Sequence, residues 1–179
     1  EATSFTQFFG DVRIRDGIQE LLAKRAQYSS RTGYLQAQGL VSITDSENGS
    51  TITGDNLVMI KSRDDHTPND MTIHGGHPRA LLFSSKESIP ETTQYGETKS
   101  EPFDINANVI RLLGSHIFQA RGDVEIRRNT FIAYSDSMEY QQEIGTLTLF
   151  KKARIISPDP ESGDTLDVRG DTINMLLPQ

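Results

Sequence analysis

A short pattern recurs five times in this chain: apolar, any, small, polar, any, apolar, any, apolar. The copies run from Leu21 through Ala23, Lys24 and Ala26 to Tyr28, and from Ile52 through Gly54, Asp55 and Leu57 to Met59. They continue from Ile105 through Ala107, Asn108 and Ile110 to Leu112, and from Ala133 through Ser135, Asp136 and Met138 to Tyr140. The last runs from Val168 through Gly170, Asp171 and Ile173 to Met175. Inside each copy the apolar spacing is two, then three, then two. A one-residue slip throws side chains to the other face unless the strand bends or bulges there. A small residue precedes every slip, as a crowded corner requires. The same bend repeated in successive strands folds a sheet along one line, with an apolar inside.

The rest of the chain also alternates with a period of two, the mark of half-buried strands. Val12 and Ile14, Leu35 and Ala37, Val41 and Ile43, Val124 and Ile126, Leu147 and Leu149, and Ala153 and Ile155 all follow it. Turn signals separate the runs at Asp16-Gly17, Thr32-Gly33, Asn48-Gly49, Arg128-Asn129, Ile144-Gly145 and Ser162-Gly163. Ile18 to Tyr28 is the one helix candidate, and the repeat reads it as strand. The copies start 31, 53, 28 and 35 residues apart, too irregular for a strict-period solenoid. Met71, Ile73 and Ala80 to Phe83 are expected strands. Residues 62–70 read as a polar loop, and residues 84–102, with Pro90 and Pro102, as a mobile loop. The whole chain, 1–179, reads as a single domain.

With 179 residues and 35% hydrophobic content, a real core is feasible. The net charge of −7 and the scattered basic residues argue against nucleic acid as a partner. The absence of cysteine excludes disulfides, thiol catalysis and Cys-ligated zinc. No stretch approaches the roughly 18–20 apolar residues of a helical membrane span. No charged-then-apolar leader opens the sequence, so the chain is either cytosolic or preceded by a signal or anchor before Glu1.

Leu21 to Tyr28 followed by Leu35 to Ile43 resembles the hallmark of the OstA-like family of lipopolysaccharide-transport proteins. That hallmark is "leucine, any, alanine, aspartate, any, alanine, any, tyrosine", then "apolar, any, alanine, any, glycine, polar, valine, any, isoleucine". Ala133 to Tyr140 followed by Leu147 to Ile155 is a looser match. Met71 to Ala80 is similar to the family's strand leading into a Gly-x-Pro-x-Ala turn. The resemblance spans residues 10–83 and 103–177. Lys24 and Asn108 depart from the family's acidic residue, and Lys151 stands where it prefers glycine. The resemblance implies an all-β fold, an open antiparallel β-jellyroll folded like a taco shell. It implies a non-enzymatic protein without cofactor, located in the periplasm, whose apolar interior shields the acyl chains of lipopolysaccharide. Its open ends would join other OstA-like jellyroll proteins edge to edge, homo-oligomers included, through Phe8 to Arg15 and Leu166 to Leu177.

On this reading the inward residues are Ile14, Leu35, Val41, Ile43, Ile52, Ile73, Phe118, Val124, Ile126, Leu147, Leu149 and Ile155, and they line the lipid groove. Each acyl methylene moved into such a lining gains about 0.8 kcal/mol. Other chemistry has weaker support. His74 and His77 have a ligand-like spacing but no helix and no matching glutamate, so an ordinary turn explains them. His66 sits in the polar loop beside Asp64 and Asp65. Ser115-His116 lacks a nucleophile-elbow context. Asp55, Asp136 and Asp171 recur at one motif position and could suggest polysaccharide cleavage. Lys24 and Asn108 fill the same position elsewhere, so a corner role, with the side chain capping nearby amides, fits all five. The alternative class is a structural or polysaccharide-binding β-solenoid module, which would show surface aromatic ladders.

Overall fold

The computed structural model describes residues 5–62, 67–83, 101–129, 131–159 and 162–177. Every regular element among them is a strand. In chain order these are β1 (Thr6–Asp16), β2 (Gln19–Ser29), β3 (Tyr34–Asp45), β4 (Thr51–Ile60), β5 (Asp70–His74), β6 (Arg79–Leu82), β7 (Phe103–Asn106), β8 (Val109–Leu113), β9 (Ile117–Arg128), β10 (Phe131–Gln141), β11 (Thr146–Pro158) and β12 (Thr165–Leu176). The expected helix candidate is β2. All six turn signals fall between strands. The 84–102 loop lies outside the described residues except for Glu101 and Pro102, as do His66, Asp64 and Asp65.

The strands form one antiparallel sheet that meanders in sequence order from β1 to β12. Two of its members are broken. β5 and β6 both pair with β4, and β8 and β7 both pair with β9, so each pair acts as two halves of one bent strand. This interrupts the third motif copy at Ala107-Asn108, where a continuous strand was expected. β1 and β12 pair on one side only, so the sheet is open at both ends. The fold is an open antiparallel β-jellyroll made of bent strands. Neighbouring strands run antiparallel, which excludes the coils of a β-solenoid.

A single fold line crosses the sheet. The pairing registers shift between Phe9 and Val12, Leu22 and Arg25, Gln38 and Val41, Ser135 and Ser137, and Phe150 and Ala153. The two halves on either side are called upper (the half containing Phe8, Ala26 and Leu35) and lower (Val12, Leu21 and Val41). The five motif copies mark every second strand. There the inward side chains cross the line in three residues, from Ala23 to Ala26 and from Ser135 to Met138. The intervening strands cross in four, from Ala37 to Val41, Ala120 to Val124 and Leu149 to Ala153. The additional residue is a β-bulge, and it carries left-handed backbone at Gly39-Leu40, Gly122-Asp123 and Lys151-Lys152.

Crowding at the corner is real where glycine sits deepest. A Cβ on Gly54 would lie 2.6 Å from Ile73 Cγ2. The corner explanation does not extend to Gly170 on the edge strand, where the nearest atom would be 3.5 Å away. Among the described residues, the polar motif residues do not cap backbone amides with their side chains. Lys24 Nζ reaches Asp11 at 2.6 Å, and Lys152 Nζ reaches Asp136 at 3.2 Å. The Asp55 side chain instead covers Gly76. Lys24 and Asp136 thus lace the outside of the fold line, and Asp55 roofs it.

Candidate functional site: the apolar interior and its openings

Folding the sheet brings the apolar face of the upper half onto that of the lower. Of the residues expected inward, Leu35, Ile73, Phe118, Leu147 and Leu149 come from the upper half. Val41, Ile43, Ile52, Val124, Ile126 and Ile155 come from the lower half, and all eleven are buried in one hydrophobic cluster. Ile14 is half-buried, because edge strand β1 has no neighbour beyond it. Leu57, Ile110 and Met138 belong to the same cluster. They are the apolar residues that follow the slip in three motif copies, so alternation read through the slip would have found them.

The middle of the interior is packed shut. Ile73, Ile110, Ile126 and Leu149 have no exposed surface. It opens in two kinds of place. The first is the pair of sheet ends. On β1, Phe8 lies in register with inward Ala26, yet it is 40% exposed. On β12, Leu166 and Val168 continue the inward row and are 60% and 37% exposed. These edges leave apolar interior facing water.

The second opening is a mouth opposite the fold line, where the hairpin turns of the two halves approach. Ile43, Ile52, Leu82 and Phe83 of the lower half and Leu112, Phe118 and Tyr140 of the upper half line a hollow of about 230 Å³. Its rim is polar. Asp45, Glu47 and Asn48 on one side and His116, Gln142 and Glu143 on the other border an outer hollow of about 450 Å³. Burial pushes the Tyr140 phenol up from its ordinary value. Hydrogen bonds from Gln141 and Gln119 hold the Glu139 carboxyl below its ordinary value.

At the rim Ser115 Oγ lies 3.0 Å from His116 Nε2, and His116 Nδ1 lies 3.4 Å from Glu143. This order of groups matches a hydrolytic triad. However, the His116 and Glu143 side chains are 59% and 70% exposed, so water competes for the pair and holds it loosely. The serine also sits on a hairpin turn and not on a strained strand-to-helix elbow. His74 and His77 flank the left-handed Gly75-Gly76 turn and are both exposed. Among the described residues no group of three or more His, Asp or Glu is placed to hold a metal ion.

No protein-family model matches the chain, and no curated protein matches it. Solved structures do. The fold is an open antiparallel β-jellyroll. It superposes on LptH, described as the LptA-homologous periplasmic component of the lipopolysaccharide transport device of Pseudomonas aeruginosa. The TM-score is 0.56 at 11% identity, over 89% of this chain and 95% of that one. What the two chains share is the architecture.

Proposed function

We propose that this chain, a single domain over residues 1–179, binds lipopolysaccharide and passes it across the periplasm as a bridge component of outer-membrane assembly. The observation that carries this reading is a continuous apolar interior, open at both sheet ends and along one mouth, in the fold that LptH also has. The inward residues from Ile14 to Ile155 would shield acyl chains, and the polar rim would face the hydrated part of the cargo. Since the middle is packed, cargo enters by parting the two halves at the mouth. The packed state then returns on release, which offsets part of the gain on binding and keeps the cargo transferable.

The open edges would serve as joints with a second copy or another protein of this fold, by β-strand addition. The bend pattern supplies the register. β12 is a three-residue crossing running from the lower half to the upper, and β1 is a four-residue crossing running the opposite way. Setting β1 of the next copy beside β12 continues both alternations, with Ile173 opposite Phe8 and Gly170 opposite Val12. Asp167 then faces Arg15. It holds on β12 the place that Glu20 holds on β2, where Glu20 accepts from Arg15 Nε at 2.7 Å.

The test is a lipopolysaccharide cross-linking experiment. A photo-reactive side chain at Phe118 or Leu147 should label lipid, and one at outward Arg13 or Gln36 should not. Label confined to the outward positions would refute interior binding.

A further inference from the structure

The outer face of the upper half carries a hollow that has no part in the interior reading. It holds about 260 Å³ and is lined by Gln7, Phe9, Arg25, Gln27, Gln36 and Gln38. Register places these six side chains on a grid. Gln7, Gln27 and Gln36 lie side by side across β1, β2 and β3, and Phe9, Arg25 and Gln38 form the next row. Strand and residue spacings make the grid about 10 Å by about 7 Å.

The chemistry of the grid is unusual for the outside of this sheet. Elsewhere on the outer face, several arginines are locked to carboxylates, among them Arg79 to Asp104, Arg111 to Asp70, and Arg154 to Asp167. Arg25 has no acidic partner among the described residues, and no residue lining the hollow is acidic. Gln27 donates to Gln36 at 2.6 Å. This fixes both amides while leaving each with further donors and acceptors unused. The side-chain amides of Gln7 and Gln38 make no hydrogen bond among the described residues. Phe9, directly opposite Arg25, is 72% exposed. The hollow thus offers one aromatic face, one unpaired guanidinium, and four amides that both donate and accept.

Each part matches a feature of the same ligand class. Amides pair with hydroxyls, which also donate and accept. A guanidinium takes a carboxylate or phosphate with charge-assisted hydrogen bonds. An exposed ring gives a flat apolar surface for the C–H face of a sugar ring. In a chain of net charge −7, an unpaired cation in a hollow without carboxylates favours an anion there. We infer that this hollow binds an anionic saccharide segment of one or two rings, on the outside of the sheet and independently of any lipid in the interior.

The test uses the whole chain and a probe without acyl groups. Hexagalacturonate is titrated against the labelled protein, with neutral maltohexaose as control, and the side-chain amide signals of the four glutamines and the Arg25 Nε–H are followed by NMR. Saturable shifts confined to this hollow are expected for the acidic oligosaccharide. Arg25→Gln should weaken binding at least tenfold, as loss of a charge-assisted bond does, and Phe9→Ala severalfold. Both side chains are exposed, so the variants keep the fold, which circular dichroism checks. The absence of saturable shifts, equal binding of maltohexaose, or an unchanged affinity of the Arg25→Gln protein would each overturn the assignment.

Discussion

The Asn108 side chain lies against Gly122, where an added Cβ would stand 2.6 Å from its Nδ2 and 2.9 Å from its Cβ. Gly122 is also left-handed, with φ +79°. One contact thus joins the slip residue of a motif strand to the bulge of its neighbour across the fold line. Gly122→Ala should therefore lose twice. Left-handed backbone costs a residue with a Cβ roughly 1–2 kcal/mol, and the collision adds to it. Gly17, at φ +59° with nothing within 4 Å, supplies the comparison. Gly17→Ala should cost about 1 kcal/mol by chemical denaturation, and Gly122→Ala at least 1 kcal/mol more.

Burial depth should separate two residues that look alike in the sequence. Ile73 is fully buried between the halves, and Ile14 is half-buried at the open end. Ile73→Ala should cost about 3–4 kcal/mol, as large-to-small changes in packed cores do. Ile14→Ala should cost about 1 kcal/mol. Equal losses in urea unfolding would mean that the sheet end is closed in solution.

Two ion pairs on the outer face set an acid limit. Arg79 donates to both Asp104 oxygens at 2.7 Å, and Arg111 donates to both Asp70 oxygens at 2.8 and 2.6 Å. These hydrogen bonds hold both carboxyls below the ordinary 3.8, against an opposing effect of burial. The native state therefore takes up these protons at lower pH than the unfolded chain does. The stabilisation is complete above pH 3.8 and disappears as pH falls through the lowered native values. Thermal melts should show a steep loss of stability below about pH 4, and Asp70→Asn with Asp104→Asn should flatten that limb while lowering stability at neutral pH.

The proposed joint predicts a charge-swap result. Arg15→Asp should weaken end-to-end association, measured by analytical ultracentrifugation at low salt. Adding Asp167→Arg should restore it. Failure of the pair to rescue would exclude the register that matches the bends.

Ser29 is fully buried, and among the described residues its hydroxyl has no hydrogen-bond partner. A buried unsatisfied hydroxyl costs about 1–3 kcal/mol. Ser29→Ala should accordingly leave stability unchanged or raise it by about 1 kcal/mol, a rare case of truncation without loss.

Half of the bends could be read directly. In the motif copies carrying Ala23, Gly54, Ala107, Ser135 and Gly170, a three-residue crossing breaks the period of two, so the slip is visible as a defect. In the strands carrying Gly39, Gly122 and Lys151 the crossing takes four residues. Four is a multiple of the period, so Leu35, Ala37, Val41 and Ile43 read as unbroken alternation. The bend there is a property of backbone torsion, with Leu40 and Lys152 at positive φ where neither residue type announces it. The outward hollow was equally hidden. Phe9, Arg25 and Gln38 are far apart along the chain, and only the registers of β1 with β2 and β2 with β3 make them neighbours.

The sequence by itself determined that this chain is all-β, where its turns fall, which face of each strand is apolar, and that its sheet bends repeatedly at small residues. These are local matters of side-chain period and backbone freedom, and they are written residue by residue. Only the tertiary structure decided that Leu35 and Leu149 belong to one half and Val41 and Ile126 to the other. It also decided that the interior is packed in the middle yet open at β1, β12 and the mouth, and that β5 with β6 and β7 with β8 complete the meander. Those outcomes depend on the angle at which two faces meet, and that angle is set jointly by ten neighbouring bends.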